Sequence, residues 1–252
     1  MSNIEMKHLF KYSRFPDEDM GRILFFLYIP LGVIILLLRI IVLFCAMVLS
    51  YAIPETVSFR KFINKITCMA LGIAVTVENP KAKENVGVFV SNNLSVFDHV
   101  AVQNVTNAVM PMKTVLEQIV KFNNFDFGSL SELGRFKENV QKFIVENKTP
   151  AFFTPEEKPT NGKCLLKFKT YPFQLSTKVQ PICIQIERPF FNISVTVLGS
   201  SYTYDALFFM FSPITNYKIR FLDAVERKNL SDEEFAEDVR HKIGACLKVT
   251  FS

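Results

Sequence analysis

The chain has 252 residues, of which 49% are hydrophobic; 26 are phenylalanine, none is tryptophan, and the formal net charge is +5. Once an apolar stretch near the N-terminus is set aside, about 200 residues remain, enough for one sizeable domain with an aromatic core. The positive charge is modest and spread along the chain, which suits anionic lipid head groups and excludes nucleic-acid binding, since that needs a basic run or patch.

Residues 1–22 read as a cytosolic N-terminal segment and 23–54 as a membrane-inserted hairpin. Arg39 is the only charge between Ile23 and Ile53. It splits the segment into two uncharged runs, each shorter than the roughly 20 residues of a spanning helix. As one helix the segment would reach roughly 45 Å, against a hydrocarbon core of about 30 Å. Pro30 and Gly32 supply a bend. Lys7, Lys11, Arg14 and Arg22 before the segment, and Arg60, Lys61 and Lys65 after it, mark both flanks as cytoplasmic. A re-entrant hairpin or a bent, shallow helix is therefore expected, with Arg39 snorkelling to an interface.

The domain, 55–252, opens with a helix at 57–71 and strands at 73–78 and 86–91. A polar turn follows, Ser91-Asn92-Asn93-Leu94-Ser95, and then Val96-Phe97-Asp98-His99. Asn93 and Ser95 are strong helix N-cap types, and Ser95 with Asp98 approximates a capping box, so the turn reads on its own as the start of a helix at 97–106. Phe136, Val140, Phe143 and Ile144 recur at helical spacing and predict a helix over 132–147, leading into a strand at 151–154. The next turn, Thr154-Pro155-Glu156-Glu157-Lys158-Pro159-Thr160-Asn161-Gly162, is rich in turn formers. Later strands are expected at 179–186, 193–198 and 217–222. The cluster from Leu207 to Phe211 is read as core packing. Ser231 and Glu234 form a capping box for a last helix with Phe235, Val239, Ile243 and Leu247 in one stripe. Strands alternating with helices give an α/β domain with a mixed, largely parallel sheet.

Cys45, Cys68, Cys164, Cys183 and Cys246 are odd in number and widely spaced, which fits reduced thiols in a cytosolic domain. His8 and His241 lack a metal-ligand partner at useful spacing, so no metal and no cofactor is expected. Sequons at Asn93, Asn104, Asn147, Asn192 and Asn229 would matter only in a luminal domain.

Three blocks, in order, resemble the glycerolipid acyltransferase signature: Asn93 to Asp98, Thr154-Pro155-Glu156-Glu157, and Val179-Gln180-Pro181. The apolar N-terminal segment, Phe97-Asp98-His99, Thr160-Asn161-Gly162 and Tyr171-Pro172-Phe173 make the chain similar, more narrowly, to the ancient ubiquitous protein family of lipid-droplet and endoplasmic-reticulum proteins. The resemblance implies that position 93 should hold the histidine that deprotonates an acceptor hydroxyl during its attack on an acyl thioester, with Asp98 orienting it and Glu156 in the second block. Here the residue is Asn93, and a carboxamide carries no proton at neutral pH. The catalytic positions Asn93, Asp98 and Glu156 are thus degenerate. His99 is the nearby substitute base, although neighbours on a helix do not face one another.

The resemblance also implies acceptor-binding roles. Gly162 lies in the second block, and Arg135 reads as a surface arginine of its helix, with the family's phosphate-binding arginine as the alternative. Glu157 replaces a glycine that makes room for the head group, so a phosphate-bearing acceptor is disfavoured. The expected protein sits on the cytosolic face of reticulum and droplets and binds a membrane or droplet monolayer, with lipid or acyl-CoA as ligand and quality-control proteins as partners. The family's C-terminal ubiquitin-binding region has no counterpart in these residues, and its functions are not carried over. An active lysophospholipid acyltransferase and a structural droplet coat are the rivals.

Overall fold

The computed structural model describes residues 10–52, 57–112, 124–190 and 193–251. Lys7, His8, Asn192 and positions 53–54 of the apolar segment lie outside them. The segment forms one helix, α1 (Asp19–Ala52), that runs on through Pro30. The helix is not interrupted at Pro30 or Gly32; beyond it the chain continues as α2 (Val57–Leu71), which packs against α1. Phe25, Tyr28, Gly32, Arg39 and Ala46 recur at helical spacing and are buried. The opposite side is apolar and exposed, with Leu27, Ile34, Leu37, Ile41 and Phe44 among its residues.

Gly32 serves close approach, not flexibility. A Cβ there would overlap the Phe211 ring, and the Tyr28 hydroxyl donates to the Phe211 carbonyl at 2.7 Å. Arg39 does not snorkel. Its guanidinium is buried and donates to the carbonyls of Met210, Ser212 and Pro213 at 2.7, 2.5 and 2.6 Å. These groups end α5 (Tyr202–Phe211), where a cation is favoured by both the orphan carbonyls and the helix dipole. Gly72, at φ +67°, leaves the room that the guanidinium fills.

The central sheet comprises β1 (Ile73–Glu78), β2 (Val88–Ser91), β3 (Ala151–Phe153), β4 (Lys178–Glu187), β5 (Thr215–Phe221) and the short β6 (Val225–Glu226), which pairs with β4. The order is β1-β5-β4-β2-β3. Only the β4 pairings with β5 and β6 are antiparallel. β2 is buried at every residue, as a central parallel strand must be. One face is covered by α4 (Leu133–Asn147) and α6 (Asp232–Leu247), through Phe136, Val140, Phe235 and Val239. The other is covered by α2, α3 (Asp98–Thr106) and α5, through Leu71, Val100 and Phe209. The Ser231–Glu234 capping box is present on α6.

No strand forms at 193–198. Ile193 and Val195 are buried in alternation, but the backbone bonds go elsewhere: Ser194 donates to the Arg14 carbonyl at 3.2 Å and Leu198 to the Lys11 carbonyl at 2.9 Å. The N-terminal segment thus takes the place a sheet neighbour would have had.

Candidate functional site

The C-terminal ends of β2, β3 and β4 converge, as the ligand sites of parallel sheets do. β2 delivers Asn92 and Asn93. The Asn92 carboxamide bridges to β4, donating to the Ile184 carbonyl at 2.9 Å and accepting from its N–H at 2.8 Å. Asn93 is held through its backbone: its N–H donates to Glu156 Oε1 at 2.8 Å and its carbonyl accepts from Thr160 at 2.9 Å. The other Glu156 oxygen accepts from the Leu166 N–H at 2.9 Å. Glu156 therefore ties the second motif turn to the first.

Asp98 closes the same structure from the helix side. Its Oδ2 accepts from the N–H groups of Leu94 and Ser95 at 2.7 and 3.0 Å, and its Oδ1 accepts from the Tyr217 hydroxyl at 3.1 Å. This is the reach-back half of a capping box; the Ser95 hydroxyl accepts instead from Phe97 at 3.3 Å. Glu156 spends both oxygens on backbone N–H groups and Asp98 spends one on backbone N–H groups and the other on the Tyr217 hydroxyl, so each braces the turns.

Asn93, Ser95, Asp98, His99, Thr154 and Glu157 line one wall of a cavity of about 510 Å³. The opposite wall is Phe10 with residues from Thr196 to Asp205. Arg14 pins that wall, donating to Asp205 at 2.9 Å and to Ser200 and the Val195 carbonyl, while stacking 4.3 Å over the Phe208 ring.

Burial pushes Asp98 up to about 7 against the pull of its backbone donors, and does the same for Glu156. The sign of the linkage follows. At pH 4–7 the folded protein keeps protons that the unfolded chain has released, so stability is full below the ordinary carboxylate range and is lost as pH rises through about 7. Urea midpoints are expected to fall between pH 5 and pH 8, and Asp98→Asn should flatten part of that slope.

Glu157 has a left-handed backbone, with φ 61°, borders the cavity and pairs with Lys169 at 4.0 Å. A left-handed conformation costs a β-carbon-bearing residue roughly 1 kcal/mol. Glu157→Gly should therefore raise stability by about that amount in a denaturation curve. Gly162, at φ +76°, packs against Leu94, where an added Cβ would lie 3.0 Å from its Cδ2. It shapes the turn from behind and is not in the cavity wall. Arg135 is exposed on α4, 3.6 Å from Glu132, beside a separate recess with Asp126 and Asn139.

Sequence reasoning missed Tyr217, Asn92 and Arg188. Tyr217 sits in a predicted strand, where nothing marks its hydroxyl. Asn92 is a second polar residue at the end of an apolar strand, a signal that was there to read. Arg188, just past β4, neighbours Asp98 and Tyr217, and burial lowers its pKa.

No family model matches the chain. Its sequence is 30% identical over 250 residues to a human protein named "Lipid droplet-regulating VLDL assembly factor AUP1", covering 97% of this chain and 60% of the relative. The Caenorhabditis elegans homologue is 29% identical over 255 residues, covering 99% and 65%. The Danio rerio protein is 30% identical over 255 residues, covering 97% and 59%. The chain thus spans about three fifths of the length of the curated relatives it matches. Among solved structures it is similar to PlsC, the 1-acyl-sn-glycerophosphate acyltransferase of Thermotoga maritima, with TM-score 0.59 and 16% identity over 87% of this chain and 97% of that one. That likeness speaks for the fold alone. Over nearly its whole length the chain is thus a homologue of the AUP1 lipid droplet-regulating factors, and its domain has the fold of PlsC.

Proposed function

We propose that this is a monotopic protein of the cytosolic face of endoplasmic reticulum and lipid droplets, whose domain binds lipid and does not transfer acyl groups. Residues 23–54 would be the inserted part and 55–252 the domain. One observation carries the reading: position 93 holds a carboxamide, while both carboxylates of the motif are committed to backbone N–H groups. Without a positioned general base, roughly 10²–10⁴ in rate is forfeited.

The exposed apolar side of α1, opposite a stripe docked on α5, supports in-plane insertion: a helix held along the domain lies on a monolayer instead of crossing a bilayer. The names of the relatives support a role at droplets. Glu157 in the cavity wall opposes a phosphate-bearing ligand, so the ligand class is uncharged lipid, held for droplet storage or shown to quality-control partners.

The enzymatic rival rests on His99, which lines the same cavity. Purified full-length protein in detergent, given labelled acyl-CoA and lysophospholipid, is expected to show no turnover above buffer while retaining neutral lipid on extraction. Turnover that disappears in Asp98→Asn or His99→Ala would overturn the reading. Topology is tested by the sequons: Asn104 and Asn229 are exposed and should remain unglycosylated in cells.

A further inference from the structure

On the far side of the sheet from α1, remote in sequence but adjacent in space, two thiols meet. Cys183 is on β4, where it is buried against α6, its Sγ 3.9 Å from the Ile243 carbonyl. Cys246, one helical turn beyond Ile243, is partly exposed and borders the same surface recess as Cys183. Arg220 is paired with Cys183 across the β4–β5 ladder and brings its Nη1 to 3.8 Å from the Cys246 sulfur. Glu78 fixes that guanidinium from β1, accepting from Nε at 2.7 Å. The group borders a surface recess of about 280 Å³, which Lys218 and Lys248 also line. All five cysteines are free thiols.

We propose that Cys246 and Cys183 form a peroxide-reactive thiol pair, in which Cys246 is the attacking sulfur and Cys183 the resolving one. The arrangement supplies what each step needs. The Arg220 cation stabilises a thiolate at Cys246, the recess admits a small oxidant to it, and the buried partner borders the same recess. The neighbouring Cys183 thiol, helped by Arg220 and opposed by burial, lowers Cys246 to about 6; Cys246 and burial raise Cys183.

In the first step the Cys246 thiolate attacks one oxygen of hydrogen peroxide or an alkyl hydroperoxide. The O–O bond breaks, an S–O bond forms, and the leaving hydroxide or alkoxide takes a proton from water. Cys246 is oxidised by two electrons to the sulfenic acid. In the second, the Cys183 sulfur attacks that sulfur, the S–S bond forms, and the S–O bond breaks to release water carrying the Cys183 proton. The product is a covalent tie between β4 and α6, the helix whose Arg240 donates to the Leu165 carbonyl at 3.0 Å, next to the Leu166 N–H that Glu156 holds.

The test uses the full-length protein in detergent, exposed to a small molar excess of hydrogen peroxide and mapped by non-reducing peptide mass spectrometry. The Cys183–Cys246 disulfide is expected, absent in Cys246→Ser. In Cys183→Ser, a dimedone adduct should appear at Cys246. Arg220→Gln should slow oxidation about tenfold at neutral pH, with Arg220→Lys restoring part of the rate. Iodoacetamide labelling of Cys246 in the unaltered protein should be half-maximal below pH 7. Labelling that rises only near pH 8.5, as for a free thiol, or oxidation that leaves Cys246 untouched while other cysteines react, would overturn the proposal.

Discussion

Arg39→Met should lower the unfolding free energy of the full-length protein by about 3–5 kcal/mol, the range for removing one partner of a buried, hydrogen-bonded charge site. Three carbonyls at the end of α5 lose their donor together. Methionine fills the space but donates nothing, so each acceptor keeps its desolvation cost. Arg39→Lys should recover only part of the loss, since an ammonium lacks the planar fork that reaches three oxygens at once. Leu37→Ala on the exposed side is the control, expected within about 0.5 kcal/mol. Denaturation in detergent, followed by tertiary circular dichroism, measures all three. Were Arg39 anchored in a lipid interface instead, lysine would be neutral.

Asp98→Ala should cost about 3–5 kcal/mol, because two backbone N–H groups and the Tyr217 hydroxyl lose their buried acceptor, at roughly 1–3 kcal/mol for each donor left unsatisfied. Asn93→Ala should cost less than about 1 kcal/mol, since the hydrogen bonds of Asn93 described above run through its backbone. Tyr217→Phe should fall between them, near 1–2 kcal/mol, and a double-mutant cycle with Asp98→Ala should show coupling. Chemical denaturation at pH 5 separates these values. Equal, small effects at positions 93 and 98 would mean that Asp98 is not a brace.

The repetitive parts of this fold were plain in the residues. The α2 helix and β1 begin and end where their patterns place them, and Ser231 with Glu234 announced α6. The motif turns were legible as strand-end turns, and their convergence follows from parallel strands. What failed was long-range. Ile193 and Val195 alternate like a strand, yet their backbone is claimed by Lys11 and Arg14, far away in the chain. Arg39 was visible as an isolated charge, but its acceptors lie at 210–213, and nothing local names them. Gly32, two residues after Pro30, looked like part of a bend; the Phe211 and Tyr28 rings explain it instead. Asp98 was legible as a motif position and as half of a capping box, but Tyr217, which donates to it, lies far along the chain and nothing local names it.

α5 has a different master at each end. Near its start, Tyr202 and Asp205 wall the cavity; at its finish, Phe211 and the carbonyls of Met210, Ser212 and Pro213 grip α1. Ten residues of helix measure only about 15 Å. A pull on the greasy rod is therefore felt at the chamber through one short, stiff strut. Amputating the first 54 residues would yield no tidy soluble fragment, since it would strip a socket built to be filled and leave its wall without a buttress. Apolar rod and cavity are one mechanical part.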